Sequence, residues 1–464
     1  MGVTRENKME TEKVGRLLFG MAFPAIIAQV INVLYNIVDR MYIGHIPEIG
    51  ADALTGVGVT MPLIMVISAF AALVSMGGAP RASIMMGMKD KTSAEKILGS
   101  STSALVIVAV ILTALVLVFG EKMLMMFGAS ENTIGYGLDY MRIYAMGTIF
   151  VQLSLGLNAF ITAQGFAKTS MLTVTIGAVA NIILDPILMF GFGMGVKGAA
   201  LATIISQAIS AVWVLRFLLS KNSLLAIRKE YLKIDLGIFL PCVGLGLSPF
   251  VMQATESIIV ITFNSSLQRY GGDLAVGAMT ILSSVMQFSI LPIMGLTQGA
   301  QPIISYNYGA RNLSRVKDTF ILLLKSTLVY STLLWLSVML FPQVFASMFT
   351  SDARLIAATV SALRIYMAVS LLLAIQISCQ QTFIALGNAR ISIFLALLRK
   401  VFLLIPLIFV LPLFIEDNVT AVFIAEPIAD FIAVAVTSII FALQFRKLLG
   451  KSPSVLRSQV TLES

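Results

Sequence analysis

The chain has 464 residues, 58% of them apolar and only 12% charged, with a formal net charge of +9 and a mean hydropathy of +0.94. A soluble domain carries roughly 25% charged and 45–50% apolar residues, so this composition excludes a water-soluble globular protein, a disordered chain and a secreted disulfide scaffold. Two cysteines, Cys242 and Cys379, lie inside apolar runs and provide neither a disulfide framework nor zinc spacing.

A membrane-crossing helix needs about 20 mostly apolar residues. The charged stretch Met1–Lys13 precedes an apolar run that is too long for a signal-peptide core and lacks a small-residue cleavage site, which predicts a retained first span. Twelve spans are predicted, at roughly 17–40, 53–78, 97–120, 134–158, 169–192, 197–219, 238–265, 273–299, 319–342, 356–384, 391–414 and 420–445. The longest break, Lys221 to Asp235, carries Arg228, Lys229, Glu230 and Lys233 and reads as a linker between halves. The expected organisation is an N-terminal segment 1–16, a first lobe 17–219, a linker 220–236, a second lobe 237–446 and a tail 447–464.

Basic loops stay in the cytoplasm. Threading the chain through twelve spans puts 22 Lys and Arg on one side and 7 on the other, with Lys325, Arg399 and Lys400 inside spans. Both termini are therefore expected to be cytoplasmic, in a cell (inner or plasma) membrane. The positive charge is an orientation signal, not a nucleic-acid footprint, because no basic face with interleaved aromatics exists outside the membrane.

The sequence repeats itself at an offset of 222 residues. Gly77, Pro80, Ser83 and Gly87 fall on Gly299, Pro302, Ser305 and Gly309; Arg142-Ile143-Tyr144 falls on Arg364-Ile365-Tyr366; Ala163, Gly165, Ala167 and Ser170 fall on Ala385, Gly387, Ala389 and Ser392. Six spans per repeat make the halves parallel, an arrangement typical of secondary transporters with the ligand path between halves.

Polar groups inside a span are costly and need a reason. In the first span Gln29, Asn32, Asn36 and Asp39 share a helical face, with Tyr35 one turn before Asp39. In the fifth, Asn181 and Asp185 are i and i+4, and Pro186 follows, which would bend the helix and free carbonyl oxygens beside two carboxylates. Such an oxygen-rich cluster suits Na⁺ or a proton, or else a hydrogen-bond network that pins two helices. In the seventh, Gln253 and Glu256 lie three apart, and Glu256 has no basic neighbour in its own span, which makes it a second candidate acid. Arg399 and Lys400 of the eleventh span are expected to oppose Glu426 and Asp430 of the twelfth in a structural ion network. Gln287 and Gln380 are further polar positions along the expected substrate path.

No G-x-x-x-x-G-K-[ST] segment occurs, and the only histidine, His45, falls in a loop, so neither ATP hydrolysis nor His-based catalysis is expected. An intramembrane enzyme would need such a constellation. No cofactor and no metal beyond Na⁺ is called for.

At this point the chain resembles the multidrug and toxic compound extrusion (MATE) family, in the bacterial and archaeal branch grouped with DinF and MepA. The residues that carry the resemblance are Asn181-Ile182-Ile183-Leu184-Asp185-Pro186 followed by Gly191, the run from Gly299 to Gly309, Ile37-Val38-Asp39 followed by Ile43-Gly44, and Pro427-Ile428-Ala429-Asp430. The resemblance implies an all-α integral membrane fold of twelve helices in two parallel six-helix bundles, V-shaped around a central cavity. It implies antiport: export of small amphipathic, often cationic compounds against inward Na⁺ or H⁺, by a monomer in a lipid bilayer. It implies a first-lobe cation site at Asp39, Asn181 and Asp185, with Tyr140, Asn158 and Thr203 in its network. Glu256 resembles the seventh-span acid of relatives with a second-lobe site, but no acid stands between Ile356 and Leu386, where those relatives have one. A lipid-linked oligosaccharide flippase of the same superfamily is the rival reading; twelve spans and internal acids favour the exporter.

Overall fold

The computed structural model describes residues 5–449; residues 450–464 of the expected tail, with Lys451 and Arg457, lie outside them. The described chain is helical throughout its apolar runs. Among the described residues, nine helices are long and apolar enough to cross a membrane: Val14–Gly44, Asp52–Gly87, Lys91–Met126, Ala167–Gly191, Val196–Leu218, Leu236–Gly309, Leu313–Leu340, Ala389–Leu413 and Asn418–Leu448. Two more spans are helix pairs, Ile134–Met146 with Thr148–Ala163 bent by 59°, and Ala353–Tyr366 with Ser370–Ala385 bent by 47°. The 74-residue segment Leu236–Gly309 contains both the seventh and eighth spans, because Gly272 breaks it at φ 61°, ψ −157°. That backbone conformation strains any residue with a Cβ. With this segment counted twice, each of the twelve predicted spans falls on a helix or a bent pair.

The 222-residue repeat reappears as contacts. A Cβ on Gly87 would stand 2.0 Å from the carbonyl oxygen of Tyr306, and one on Gly309 would stand 2.0 Å from that of Ile84. These two contacts exchange under the offset, as a two-fold axis between the halves requires. Gly77 against Cys242 and Gly299 against Ala22 repeat the relation to within two residues. Within each half, the Ser83 hydroxyl donates to Ala163 O and the Ser305 hydroxyl to Ala385 O. Glycine at these crossings lets backbones touch, the usual way helices pack where lipid gives no hydrophobic drive.

All these crossings lie toward one end of the molecule, the end holding the N-terminal helix Arg5–Thr11, the linker and most basic loops. The core there is common to both halves, with Leu18, Leu98 and Phe160 joined to Ile303, Tyr306 and Ala385. Toward the other end the core divides. Ile43, Leu112, Tyr140 and Ile204 belong to a first-half cluster, and Phe263, Leu282, Leu363 and Val422 to a second-half cluster. The halves are thus sealed together at the basic end and separate toward the other.

The N-terminal helix fastens that seal. Met9 is buried beside Gly165 of the first half. Its carbonyl accepts from Asn307 Nδ2 (3.1 Å) and an Arg315 guanidinium nitrogen (3.0 Å), both of the second half. Glu10 takes Lys89 Nζ of the first half at 2.8 Å and the Tyr306 hydroxyl of the second at 3.1 Å. The stretch between the sixth and seventh spans is also held: Gln164 Oε1 accepts from Leu224 N and Leu225 N, and Glu95 Oε2 holds Arg228 Nε at 2.6 Å.

Candidate functional site

The first and fifth spans pack against each other, which brings Asp39 to Asp185. Both are buried, as is Asn181. The Asp39 and Asp185 side chains lie within hydrogen-bonding reach of each other. Asn181 Nδ2 donates to Asp185 Oδ1 at 3.2 Å. Asp39 Oδ1, Asp185 Oδ2 and Asn181 Oδ1 receive no donor. Two carboxylates that face each other without a donor cannot both stay charged at low cost; a proton or a cation must sit between them. No basic side chain is bonded to either acid among the described residues.

The local chain explains the placement. Pro186 lacks an amide and crowds an earlier carbonyl, and the fifth span passes directly into a π-helical turn, Ile187–Gly191. The α-helix that holds Asn181 and Asp185 therefore ends one residue beyond the acid. The first span stays helical through Pro24 to Gly44.

Beside the acids is a cavity of about 50 Å³, lined among others by Asn32, Tyr35, Asn158, Asn181 and Thr203. Leu155, Val174 and Ala178 make part of its wall apolar. Tyr140 is stacked on Tyr144 (6.1 Å) and its hydroxyl bonds Thr203. Asn158 Nδ2 donates to Ser170 O at 3.3 Å, leaving its Oδ1 bare. Asn36 is exposed and bonds back to Asn32. Gln29 is half-buried and does not line this cavity, nor do Gln253 and Gln287, which are exposed. Gln380 is buried in the second half, donating to Ser248 Oγ at 3.2 Å. Sequence reasoning missed Ser154, Ser206, Gln207 and Ser210 of the cavity wall. The spacing held the signal, since Ser154 is one turn from Asn158 and Gln207 one turn from Thr203, and Ser154 Oγ donates to Gln207 Oε1.

The second-half charges differ from expectation. Arg399 does bridge Glu426 (2.8 Å) and Asp430 (2.6 Å). Lys400, expected in that network, instead bonds Glu256 and donates to Met252 O at 2.9 Å. Glu256 accordingly has a basic partner, supplied by the eleventh span and not by its own. Both residues lie in the π-helical segment Leu398–Leu404; consecutive residues of a helix point in different directions, so Arg399 and Lys400 reach different neighbours, the twelfth span and the seventh.

Two sealed parallel repeats, separate at one end, with buried acids beside a polar-lined cavity, define an all-helical multi-pass membrane transporter and not an enzyme. The MatE family model matches residues 24–187 and 249–410, once in each half, and the chain belongs to that family. Among curated relatives, the multidrug export protein MepA of Staphylococcus haemolyticus is 27% identical over 445 residues, covering 96% of this chain and 97% of the relative. The fold is that of a MATE crystal structure in the bent conformation, at a TM-score of 0.90 and 21% identity over 99% of this chain and 100% of that one. It is equally that of an outward-facing multidrug resistance MATE transporter, at 0.88 and 22% identity over 97% and 100%.

Proposed function

We propose that this protein is a secondary active multidrug exporter that expels amphipathic, often cationic compounds in exchange for an inward cation. The observation that carries this reading is the approach of the buried Asp39 and Asp185 carboxyls to each other, each with an oxygen that has no donor and neither with a basic partner, beside the cavity. Two carboxyl oxygens in direct reach can share one proton, whereas Na⁺ would have to part them, so the proton is the preferred coupling ion. Filling the pair with one proton removes one of its two charges, ends their mutual repulsion and relaxes the first span against the fifth; emptying it restores two repelling charges that attract a cationic cargo. Moving one positive charge outward against 100 mV costs about 2.3 kcal/mol, and a hundredfold gradient adds about 2.8 kcal/mol at about 1.4 per factor of ten. One inward cation cancels the electrical cost. The multidrug export relatives and the part-apolar cavity wall support the substrate class.

The basic end is proposed to face the cytoplasm, so the sealed state described above is the outward-facing one. The test is efflux of ethidium from proteoliposomes with pH and Na⁺ gradients imposed separately. A pH gradient alone should drive efflux, and Asp39→Asn and Asp185→Asn should reduce it to the leak. Normal efflux from well-folded Asp39→Asn protein contradicts the coupling assignment; efflux driven by Na⁺ alone replaces the proton.

A further inference from the structure

The second half holds a buried charge cluster for which the coupling reaction has no use. Three acidic side chains, Glu256, Glu426 and Asp430, face two basic ones, Arg399 and Lys400, so the cluster holds one acid more than it has basic partners. Arg399 is saturated by Glu426 and Asp430. The remaining oxygen of Glu426, Oε2, has no hydrogen-bond partner although the residue is only 5% exposed. The pair that is left is unequal: the Lys400 side chain is 8% exposed, that of Glu256 52%.

Glu256 borders the space between the halves. On its helix, Phe250 packs edge-on to Phe70 of the first half (5.1 Å) and the Ser257 hydroxyl lies 3.7 Å from Met65 Sδ. Glu256 is about 100° round the helix from Ser257, where that face turns toward Lys400. A half-exposed carboxylate at mid-span is too costly against lipid, so it faces the cleft. Under the 222-residue offset Lys400 occupies the place of Ala178, which lines the open cavity of the first half. A tethered ammonium thus fills in one half what is empty space in the other.

We propose that Lys400 is an internal stand-in for the positive group of a cationic cargo: cargo binds Glu256 by displacing the Lys400 ammonium, which keeps its bond to Met252 O and turns toward the bare Glu426 oxygen. The incoming cation supplies the third positive group that the three acids lack. Lys400 then sets specificity among cations, demanding a cargo that outcompetes it and rejecting weaker ones. This deepens the exporter reading and rests on it for the cargo class, but equilibrium binding without gradients tests it separately from coupling.

The experiment measures binding of tetraphenylphosphonium and of neutral triphenylphosphine oxide to the full chain in nanodiscs. Lys400→Met should tighten the cation about tenfold, Lys400→Arg should leave it within about twofold, and Glu256→Gln should weaken it about tenfold. The neutral probe should move with none of them. Glu256→Gln with Lys400→Met should bind the cation no better than Glu256→Gln alone, since the acid is what Lys400 guards. If Lys400→Met does not fold, Glu256→Gln still decides, because the preference for the cation over the neutral probe must shrink. Unchanged cation preference in Glu256→Gln, or folded Lys400→Met that binds the cation no tighter, overturns the proposal.

Discussion

Replacing Gly87 with alanine should unseal the basic end. The new methyl would stand 2.0 Å from Tyr306 O and 2.8 Å from Ala310 N, both backbone atoms that cannot rotate away. Ordinary contact begins near 3.4 Å, so the second and eighth spans must part by 3.4 − 2.0 = 1.4 Å at this crossing. Overpacking of this kind costs about 1–3 kcal/mol. The cost falls only on the state in which the crossing exists, so at about 1.4 kcal/mol per factor of ten the sealed-to-open ratio drops about 5- to 150-fold. Cys242 is a native reporter: it is 0% exposed and its carbonyl lies where a Cβ on Gly77 would stand, at the same seam. In a Cys379→Ser background, N-ethylmaleimide labelling of Cys242 in membranes should speed up by that factor. Gly309→Ala, which meets Ile84 O at the same 2.0 Å, should do likewise by symmetry. Unchanged labelling in a Gly87→Ala protein of normal abundance refutes the reasoning.

Removing Arg399 strands Glu426 and Asp430, both buried; Arg399→Ala should cost about 3–5 kcal/mol and show as a large fall in thermal stability in detergent, whereas Arg399→Lys should recover part of it. A stability unchanged by Arg399→Ala would mean the two acids are already protonated. The N-terminal clasp should loosen in acid. The Lys89 ammonium bonded to Glu10 holds its carboxyl below the ordinary 4.5, so this contribution is fully present above that pH and fades as pH falls through the lower, folded-state value. The hydrogen-exchange protection of residues 8–12, measured against the intrinsic amide rate at each pH, should fall on acidification; in Glu10→Gln it should be low already at neutral pH.

Much of this molecule was legible in the residues because a membrane leaves few options. Backbone polar groups in hydrocarbon must bond within a helix, so each long apolar run is a span, and twelve could be counted. Gly, Pro, Arg and Tyr recurring at one offset exposed the duplication, because such residues do not recur by chance as Leu and Ile do. The acids of the first and fifth spans stood out for the same reason: a carboxylate in an apolar run is costly enough to need a purpose.

Partnership was what the residues could not settle. Asp39 and Asp185 lie far apart along the chain, and only helix packing turns them toward each other. Lys400 was wrongly paired because neighbours in sequence suggest neighbours in space, while on a helix the residue after Arg399 faces a different span and meets Glu256. The sealed end is likewise tertiary: glycines allow close approach anywhere, but only the fold decides which backbone each one meets. Sequence therefore determined which segments enter the bilayer and which side chains are expensive there, since those are local transfer costs. Tertiary structure alone decided who neutralises whom, since charge pairing acts over a few ångströms that no spacing along a chain of broken and bent helices encodes.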